Sequence, residues 1–400
     1  MATALQIGAG NIGRGFLGEL FFRSGYQITF VDVNRPLVEA LRRQGAYDLT
    51  IVAGPGQPES ARHLLRITGV SAVHPDERGE LLGAFAGCAV LGISVGVANL
   101  EAVAALVADG VRHRLASGGG PLNGVVCENL IGSGRHLKAL VLARVPQPEQ
   151  ERVSEHLGLA EAVVARMVPL VTEEDRRRDP LYVAVEPYNV LPVDATAFVG
   201  TPPEIYNVQP IADIEAYQAR KLFAFNASHA IFAYAGYQRG FRYVWEAVED
   251  GEVRALVERA LTESLGALAR KFGLSLEGLQ EHARDFVARF GNRSLGDTIG
   301  RVARDPLRKL GPDERLIGGA HLALSQGIAP DAIVTGIVAA LQYDEPADPQ
   351  AQRLAHMLRE EGLGAVLTQV CGLEPGEPLE TMIQRAYNSG GVGPHATRMS

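Results

Sequence analysis

The chain of 400 residues is poor in cysteine and in lysine. Its three cysteines are too few and too scattered for a disulfide framework, so we expect a cytoplasmic protein in a reducing compartment. Lysine occurs four times among the 38 basic residues, and the other 34 are arginine, so each retained lysine deserves scrutiny as a functional candidate. The four lysines are Lys138, Lys221, Lys271 and Lys309.

Other absences exclude whole classes of partner. A net charge of -8 argues against a nucleic-acid partner, which would require a basic face, but it leaves room for a local cationic pocket and a small anionic substrate. The most apolar stretch, 88–108, is interrupted by glycine, asparagine and glutamate, which predicts a buried strand, a turn and a helix and no membrane partner. The first residues lack the basic segment and cleavage site of a secretion signal. No spacing of His, Cys and Asp resembles a zinc site, so we expect no metal.

The hydrophobic pattern predicts two domains. In the first half, strand-like and helix-like segments alternate, which is typical of an α/β fold with a doubly wound parallel sheet of the Rossmann type. From about Pro202 helical periods dominate and strand signals disappear. We therefore predict a Rossmann domain over 1–200, a mostly α-helical substrate-binding and catalytic domain over 201–387, and a flexible tail over 388–400, with 200–203 as the linker.

A glycine motif lies between the first strand, 4–7, and an amphipathic helix. Gly8, Gly10 and Gly13 form Gly-x-Gly-x-x-Gly, with Asn11 and Ile12 inside the motif. Such a turn lets the backbone approach a pyrophosphate, which the helix N-terminus then attracts. Asp32 ends the second strand, 24 positions after Gly8, where a carboxylate accepts the ribose hydroxyls of NAD and repels the 2′-phosphate of NADP. The pattern predicts NAD as the cofactor.

The second candidate site is Lys221-x4-Asn226-x2-His229. On a helix these three side chains fall within about two turns and can face one pocket. Oxidation of an alcohol needs a base, which a lysine of lowered pKa can supply, and donors for the developing alkoxide, which asparagine amides can supply. Tyr217-x3-Lys221 also resembles the pair of short-chain dehydrogenases, but there the pair lies within the nucleotide-binding domain, so we interpret Tyr217 as a packing aromatic.

With these motifs the chain resembles the polyol-specific long-chain dehydrogenases over most of its length. The resemblance rests on the glycine motif, 30–34, Cys127-Glu-Asn129-Leu, 151–158, 220–230, 305–310 and 313–317. It implies metal-free hydride transfer to NAD with Lys221 as general base, Asn129 and Asn226 as the oxyanion site, and His229 bonded to the polyol. Arg301 and Lys309 match positions that contact the substrate. Two positions depart from the pattern: Ala165 replaces an aspartate, and Arg293 replaces a proline.

The substrate is expected to be a sugar-alcohol phosphate. Family members that use free polyols tend to be longer than 400 residues. Basic residues also cluster between Arg301 and Arg315, where Arg308 and Lys309 are the preferred phosphate ligands. The favoured reaction interconverts mannitol 1-phosphate and fructose 6-phosphate. The alternatives are an unphosphorylated polyol or a hexonate as substrate, or a non-catalytic NAD-binding sensor. We expect a monomer or a small homo-oligomer.

Overall fold

The computed structural model describes residues 1–169 and 171–390. The chain forms two compact units, Met1–Tyr217 and a second that begins at Gln218. Within the described part of the chain, no helix is both long and apolar enough to cross a membrane. Of the tail predicted over 388–400, residues 391–400 lie outside the described residues, and Asn388 is the last residue of a helix.

The strands that the structure describes all lie in the first unit. The strands are β1 (Thr3–Ile7), β2 (Gln27–Val31), β3 (Ala46–Ile51), β4 (His63–Thr68), β5 (Val70–Val73), β6 (Val90–Ile93), β7 (Leu122–Val126), β8 (Leu157–Glu161), β9 (Val183–Val185), β10 (Leu191–Asp194) and β11 (Val208–Ile211). The α-helices between them are α1 (Gly18–Arg23), α2 (Arg35–Gln44), α3 (Arg78–Gly87), α4 (Leu100–Ala116), α5 (Ser133–Leu142), α6 (Gln147–His156) and α7 (Glu173–Arg178). A π-helical turn, Gly13–Leu17, precedes α1 and is called the first π-turn below.

Six strands form a parallel sheet in the order β5-β2-β1-β6-β7-β8. Alternate residues of β1 bury into opposite layers: Ala4 packs in the core with the first π-turn and α1, whereas Leu5 and Ile7 pack in the core with α3 and α4. Helices thus cover both faces, which confirms the predicted doubly wound Rossmann sheet. Smaller sheets, β4-β3-β9 and β10-β11, complete the unit.

The second unit is helical, which confirms the predicted fold class. It begins within α8 (Ile214–Arg220), which is followed by a second π-turn, Lys221–Asn226. The remaining helices are α9 (Ala227–Gln238), α10 (Val244–Glu249), α11 (Gly251–Phe272), α12 (Leu276–Phe290), α13 (Ile299–Ala303), α14 (Pro306–Lys309), α15 (Ile317–Ser325), α16 (Asp331–Leu341), α17 (Pro349–Glu360), α18 (Gly362–Gln369) and α19 (Pro378–Asn388). Helix α9 is buried through most of its length and forms part of the core of this unit.

Two sequence expectations differ from the structure near the boundary between the units. The prediction that strands end before Pro202 is wrong, because β11 pairs in parallel with β10. This pairing attaches the segment after Gly200 to the first unit, so the structural boundary falls at Tyr217, later than the predicted 200. The signal was weak because β11 is short and contains Pro210, which is uncommon inside strands.

Candidate active site

The glycine-rich turn sits at the carboxyl end of β1 and is closely packed. Gly8 has a φ of 92°, and a Cβ atom there would lie 2.2 Å from the carbonyl oxygen of Ser94. A Cβ on Gly13 would lie 1.9 Å from the carbonyl oxygen of Gly8. Both glycines are therefore required by the turn itself. A Cβ on Gly10 would meet no atom within 4 Å, so the backbone at this glycine is open to the approach of a ligand.

Asp32 links the end of β2 to this turn. Its Oδ2 accepts a hydrogen bond from the backbone N–H of Ala9 at 2.7 Å, and its Oδ1 accepts one from the N–H of Asn34 at 2.9 Å. The side chain is partly exposed. Since each carboxylate oxygen has two lone pairs, both oxygens retain acceptor capacity for ribose hydroxyls.

A cavity of about 420 Å³ opens beside the turn. Its lining includes Gly10 and Asn11 from the turn, Asn34 after β2, and Tyr182 before β9. Asn11 is exposed and Ile12 is partly buried. The open backbone at Gly10, the nearby helix N-terminus and the acceptor at Asp32 fit the pyrophosphate and ribose of a dinucleotide.

Side chains stabilise the first π-turn directly after the glycine motif. The Tyr47 hydroxyl donates to the carbonyl of Arg14 at 2.6 Å, and the Arg166 guanidinium donates to the carbonyl of Gly15 at 3.0 Å. Arg166 also forms a fully buried ion pair with Glu19 at 2.6 Å. Burial raises the pKa of Glu19, but Arg166 and Arg23 outweigh burial and leave its pKa below the ordinary value. Arg166 directly follows Ala165, so this segment supports the helix that follows the glycine-rich turn.

Asn129 follows β7, at the edge of the sheet where doubly wound folds bind ligands. The side chain of Asn129 is exposed, whereas that of its neighbour Glu128 is buried. The Glu128 carboxylate accepts the backbone N–H groups of Val95 at 2.6 Å and Gly96 at 3.0 Å. Burial raises the pKa of Glu128 although these bonds oppose the rise. Glu128 therefore connects the loop after β6 to the segment that carries Asn129.

In the second unit, Lys221 and Asn226 are the first and last residues of the second π-turn, and His229 lies in the first turn of α9. In a regular α-helix, residues five apart point about 140° away from each other. A π-turn instead forms i→i+5 hydrogen bonds, so residues five apart lie roughly one turn apart on one side. Asn226 and His229 are then i,i+3 neighbours on the following helix. The local backbone thus favours one common face for all three side chains, each of which is partly buried.

The His229 ring is held in a defined environment. It stacks parallel to the ring of Phe290, with 4.2 Å between centroids and 3° between planes. Its Nε2 lies 3.4 Å from Oδ2 of Asp297. The other carboxylate oxygen of Asp297 forms an ion pair with Arg301 at 2.6 Å. Burial raises the pKa of Asp297, but His229 and Arg301 outweigh burial and hold it below the ordinary value.

Of the two predicted phosphate ligands, Arg308 is held in ion pairs and Lys309 is buried. Arg308 contacts Asp305 at 2.8 Å and Glu314 at 3.0 Å. Lys309 is buried, and its ammonium donates to the carbonyl of Arg304. Burial, reinforced by the cationic Arg315 and Arg308, lowers the pKa of Lys309 to about 7. Asp305 has a φ of 63°, a strained conformation that sets the turn before α14.

A second cavity, of about 440 Å³, lies at the surface of the helical unit. Arg301 and Arg304 line it together with Arg242, which follows α9 and which the sequence analysis did not single out. The lining also includes Glu345 and Asp348.

Arg293, where the sequence pattern has a proline, makes local contacts. Its guanidinium lies 4.0 Å from the centre of the Trp245 ring and pairs with Glu249 at 2.9 Å.

Sequence reasoning missed Asp297 and Glu128 as members of these sites. Glu128 precedes a candidate residue at a strand end, and that position was an available signal. Asp297 has no such signal, since its partner His229 lies far away in the sequence and only the packed structure joins them. Among residues 1–169 and 171–390, no group of three His, Cys, Asp or Glu side chains could hold a metal ion.

Comparison with known proteins covers nearly the whole chain. A family model described as the mannitol dehydrogenase Rossmann domain matches residues 2–207, and one described as the mannitol dehydrogenase C-terminal domain matches 213–389. Mannitol-1-phosphate 5-dehydrogenase of Bacillus licheniformis is 37% identical over 380 residues, which are 95% of this chain and 98% of the relative. The enzyme of the same name from Bacillus subtilis is 36% identical over 96% of this chain and 99% of its own length.

Two solved structures share the fold. D-sorbitol dehydrogenase in substrate-free form has a TM-score of 0.79 at 18% identity and covers 97% of this chain and 93% of its own. Pseudomonas fluorescens mannitol 2-dehydrogenase, in a ternary complex with NAD and D-mannitol, has a TM-score of 0.71 at 16% identity and covers 98% of this chain and 92% of its own.

Proposed function

The chain belongs to the mannitol dehydrogenase family, and from this membership we propose that it interconverts mannitol 1-phosphate and fructose 6-phosphate with NAD. The observation that carries the proposal is the full-length similarity, at 36–37% identity, to proteins named mannitol-1-phosphate 5-dehydrogenase. The arrangement of Lys221, Asn226 and His229 around one π-turn supports the same chemistry.

The cofactor is held by the glycine-rich turn and Asp32. Gly8 and Gly13 shape the turn, Gly10 with Asn11 and Ile12 presents open backbone to the pyrophosphate, and Asp32 accepts the ribose hydroxyls. When bound, NAD⁺ supplies the acceptor for the hydride that leaves the carbinol carbon. The mannitol 2-dehydrogenase that shares the fold was solved with NAD, which is consistent with NAD as the cofactor.

Lys221 is the general base of the proposed mechanism. In the oxidative direction its neutral amine takes the proton of the reacting hydroxyl while the C–H electrons leave as hydride. The amide N–H groups of Asn129 and Asn226 donate hydrogen bonds to the oxygen as negative charge develops on it, and they do so without titrating. The carbonyl of the product then replaces the alcohol, and the proton remains on Lys221 until it passes to solvent. In the reverse direction the Lys221 ammonium returns this proton.

The remaining residues bind and orient the substrate. His229 bonds a polyol hydroxyl, and Arg301, Arg308 and Lys309 supply the positive charge that a phosphate requires. We assign cofactor binding and Asn129 of the oxyanion site to Met1–Tyr217, and the other catalytic and substrate-binding residues to the unit that begins at Gln218. A cytoplasmic location is part of the proposal, supported by the three scattered cysteines. The expected assembly is a monomer or a small homo-oligomer.

Steady-state kinetics test the proposal directly. The purified chain is given NADH with fructose 6-phosphate, and NADH with fructose, and the two values of kcat/KM are compared. Efficient turnover of the phosphate ester together with a loss of about 10²-fold or more on free fructose supports the proposal. Equal turnover of both sugars would instead indicate a dehydrogenase of unphosphorylated polyols. NADH binding without turnover of either sugar would indicate a non-catalytic sensor.

A further inference from the structure

We infer that Asp297 is a positioning residue that fixes the tautomer and the orientation of His229, so that His229 presents a hydrogen-bond acceptor to the polyol. The inference rests on the proposed polyol oxidation for its functional meaning. Its structural basis is the chain of contacts from His229 through Asp297 to Arg301.

The geometry restricts the His229 ring on several sides. Phe290 stacks on one face of the ring, and Phe225 approaches with its ring at 72° and 6.3 Å between centroids. These contacts leave little freedom for the ring to turn. Nε2, which is shielded from solvent, is then the nitrogen that faces the Asp297 carboxylate.

Asp297 is suited to hold a proton on that nitrogen. Its side chain is 8% exposed and its backbone carbonyl accepts the N–H of Val244 at 2.9 Å, which anchors the residue next to α10. Arg301 pairs with Oδ1 of this carboxylate, so Oδ2 remains available as an anionic acceptor for His229. A carboxylate accepts hydrogen bonds but cannot donate them when ionised. The Nε2 of a neutral His229 must therefore carry the hydrogen.

The consequence concerns the second nitrogen of the ring. With the hydrogen on Nε2, Nδ1 keeps its lone pair and can accept a hydrogen bond from a polyol hydroxyl. The Nε2–Oδ2 distance of 3.4 Å exceeds that of a well-formed hydrogen bond, and such contacts often shorten when a substrate binds. Arg301 then acts on the substrate site through Asp297 as well as by its own charge.

The first test measures the tautomer in the wild-type protein. With ¹⁵N-labelled histidine, the His229 signals are assigned by their loss in His229→Gln and are recorded at about pH 8, above the usual histidine pKa. We expect a neutral ring protonated at Nε2. A neutral ring protonated at Nδ1, or a ring that stays doubly protonated, would overturn the inference. This measurement needs no turnover, so its failure is distinguishable from failure of the proposed reaction.

The second test uses Asp297→Asn, which keeps the size of the side chain and can still accept from Arg301 through its oxygen. The amide nitrogen then donates to Nε2, and His229 must move its hydrogen to Nδ1. We expect the ¹⁵N signals to report this exchange and KM for mannitol 1-phosphate to rise about tenfold, with a smaller change in kcat, as for one lost hydrogen bond. Asp331→Asn, an exposed change in the same unit, is the matched control.

A role for Asp297 in folding alone would give a different result. The Asp297→Asn protein would then lose thermal stability while His229 kept its tautomer and KM stayed within about twofold of wild type. That combination would overturn the inference. If the variant does not fold, the wild-type tautomer decides the matter by itself.

Discussion

Oδ2 of Asp32 accepts the backbone N–H of Ala9 at 2.7 Å, so the carboxylate proposed to select the cofactor also fixes the glycine-rich turn. The two roles can be separated by choice of substitution. Asparagine at this position keeps an oxygen acceptor for Ala9 but removes the negative charge, whereas alanine removes both.

Asp32→Asn is therefore expected to change cofactor selection more than cofactor binding. The wild type should prefer NADH over NADPH by about tenfold or more in kcat/KM, because the carboxylate repels the 2′-phosphate by at least ~1.4 kcal/mol. The substitution should narrow this ratio while KM for NADH changes little, and Asp32→Ala should also raise KM for NADH. Asp48→Asn, which alters a partly exposed acidic side chain of β3 that pairs with Arg66 of β4, serves as the control. Equal use of both cofactors by the wild type would contradict the assignment.

Lys221→Ala is expected to lower kcat by roughly 10²-fold or more while NADH binding stays nearly intact, because only the proton transfer loses its partner. Lys271→Ala is the matched control, since Lys271 is exposed near the end of α11. Tyr217→Phe should be mild. The measurements are single-turnover rates and fluorescence titration with NADH. If Tyr217→Phe lost most of its kcat while Lys221→Ala kept it, a mechanism with tyrosine as the base would be favoured instead.

The fold could be predicted well where the hydrophobic pattern is strong. The strand expected over 4–7 occurs as β1 with one more residue at its start, and the strand and helix expected within 88–108 occur as β6 and the first part of α4. The predictions were weaker where tertiary contacts decide the backbone. The α-helical spacing assumed for Lys221 and Asn226 was wrong, because residues Lys221–Asn226 form a π-turn. A π-turn has no reliable periodicity in sequence, since the surrounding packing must compensate its irregular hydrogen bonding.

The same limit applies to the candidate site. Gly8, Gly13 and Asp32 could be placed because their roles follow from a local turn at a strand end. The partners of the basic cluster could not be placed: the sequence predicts Arg308 as a phosphate ligand, and only the structure reveals its ion pairs with Asp305 and Glu314. Charge in a sequence indicates where cations are, but the packed structure determines which anions they already contact.

The buried ion pair of Glu19 and Arg166 should contribute to the stability of the first unit. Arg166→Met leaves the Glu19 charge buried with one guanidinium fewer and should lower the free energy of unfolding by about 3–5 kcal/mol. Replacing both residues with apolar ones of similar volume should cost less than this single change. Urea denaturation of the single and double variants measures the difference. Equal losses in both variants would show that the pair itself is not the source of the effect.

The pH dependence of this pair has a defined sign. Because the pKa of Glu19 is lower in the folded state than in the unfolded chain, its contribution is complete above the unfolded pKa, about 4.3, and is lost as pH falls through the folded pKa. Wild-type stability should therefore decline below about pH 4.3 more steeply than that of Glu19→Gln, whose amide does not titrate. If the free energy of unfolding of the two proteins fell equally steeply below about pH 4.3, this assignment would be contradicted.

Lys309 should make recognition of the substrate phosphate depend on pH. Its pKa of about 7 means that the ammonium loses its proton as pH rises through neutrality, while the substrate phosphate, with a second pKa near 6, is already a dianion. KM for mannitol 1-phosphate should therefore rise between about pH 6.5 and pH 8.5, whereas KM for free mannitol should not change in parallel.

Lys309→Arg tests the charge and Lys309→Met tests its loss. Arginine stays protonated throughout this range, so it should flatten the pH dependence of KM. The wild type should prefer mannitol 1-phosphate over mannitol by at least ~10²-fold in kcat/KM. Methionine should reduce this preference, because it weakens the binding of the phosphorylated substrate and leaves that of mannitol unchanged. Arg308→Ala should do the same to a smaller extent, since Asp305 and Glu314 already balance that guanidinium.

Lys138→Met, which removes a lysine from the first unit, controls for the loss of one charge. If Lys309→Met lowered kcat/KM equally for both substrates, Lys309 would support the helical domain and the phosphate would have to be bound elsewhere, with Arg242 and Arg304 of the second cavity as the next residues to replace.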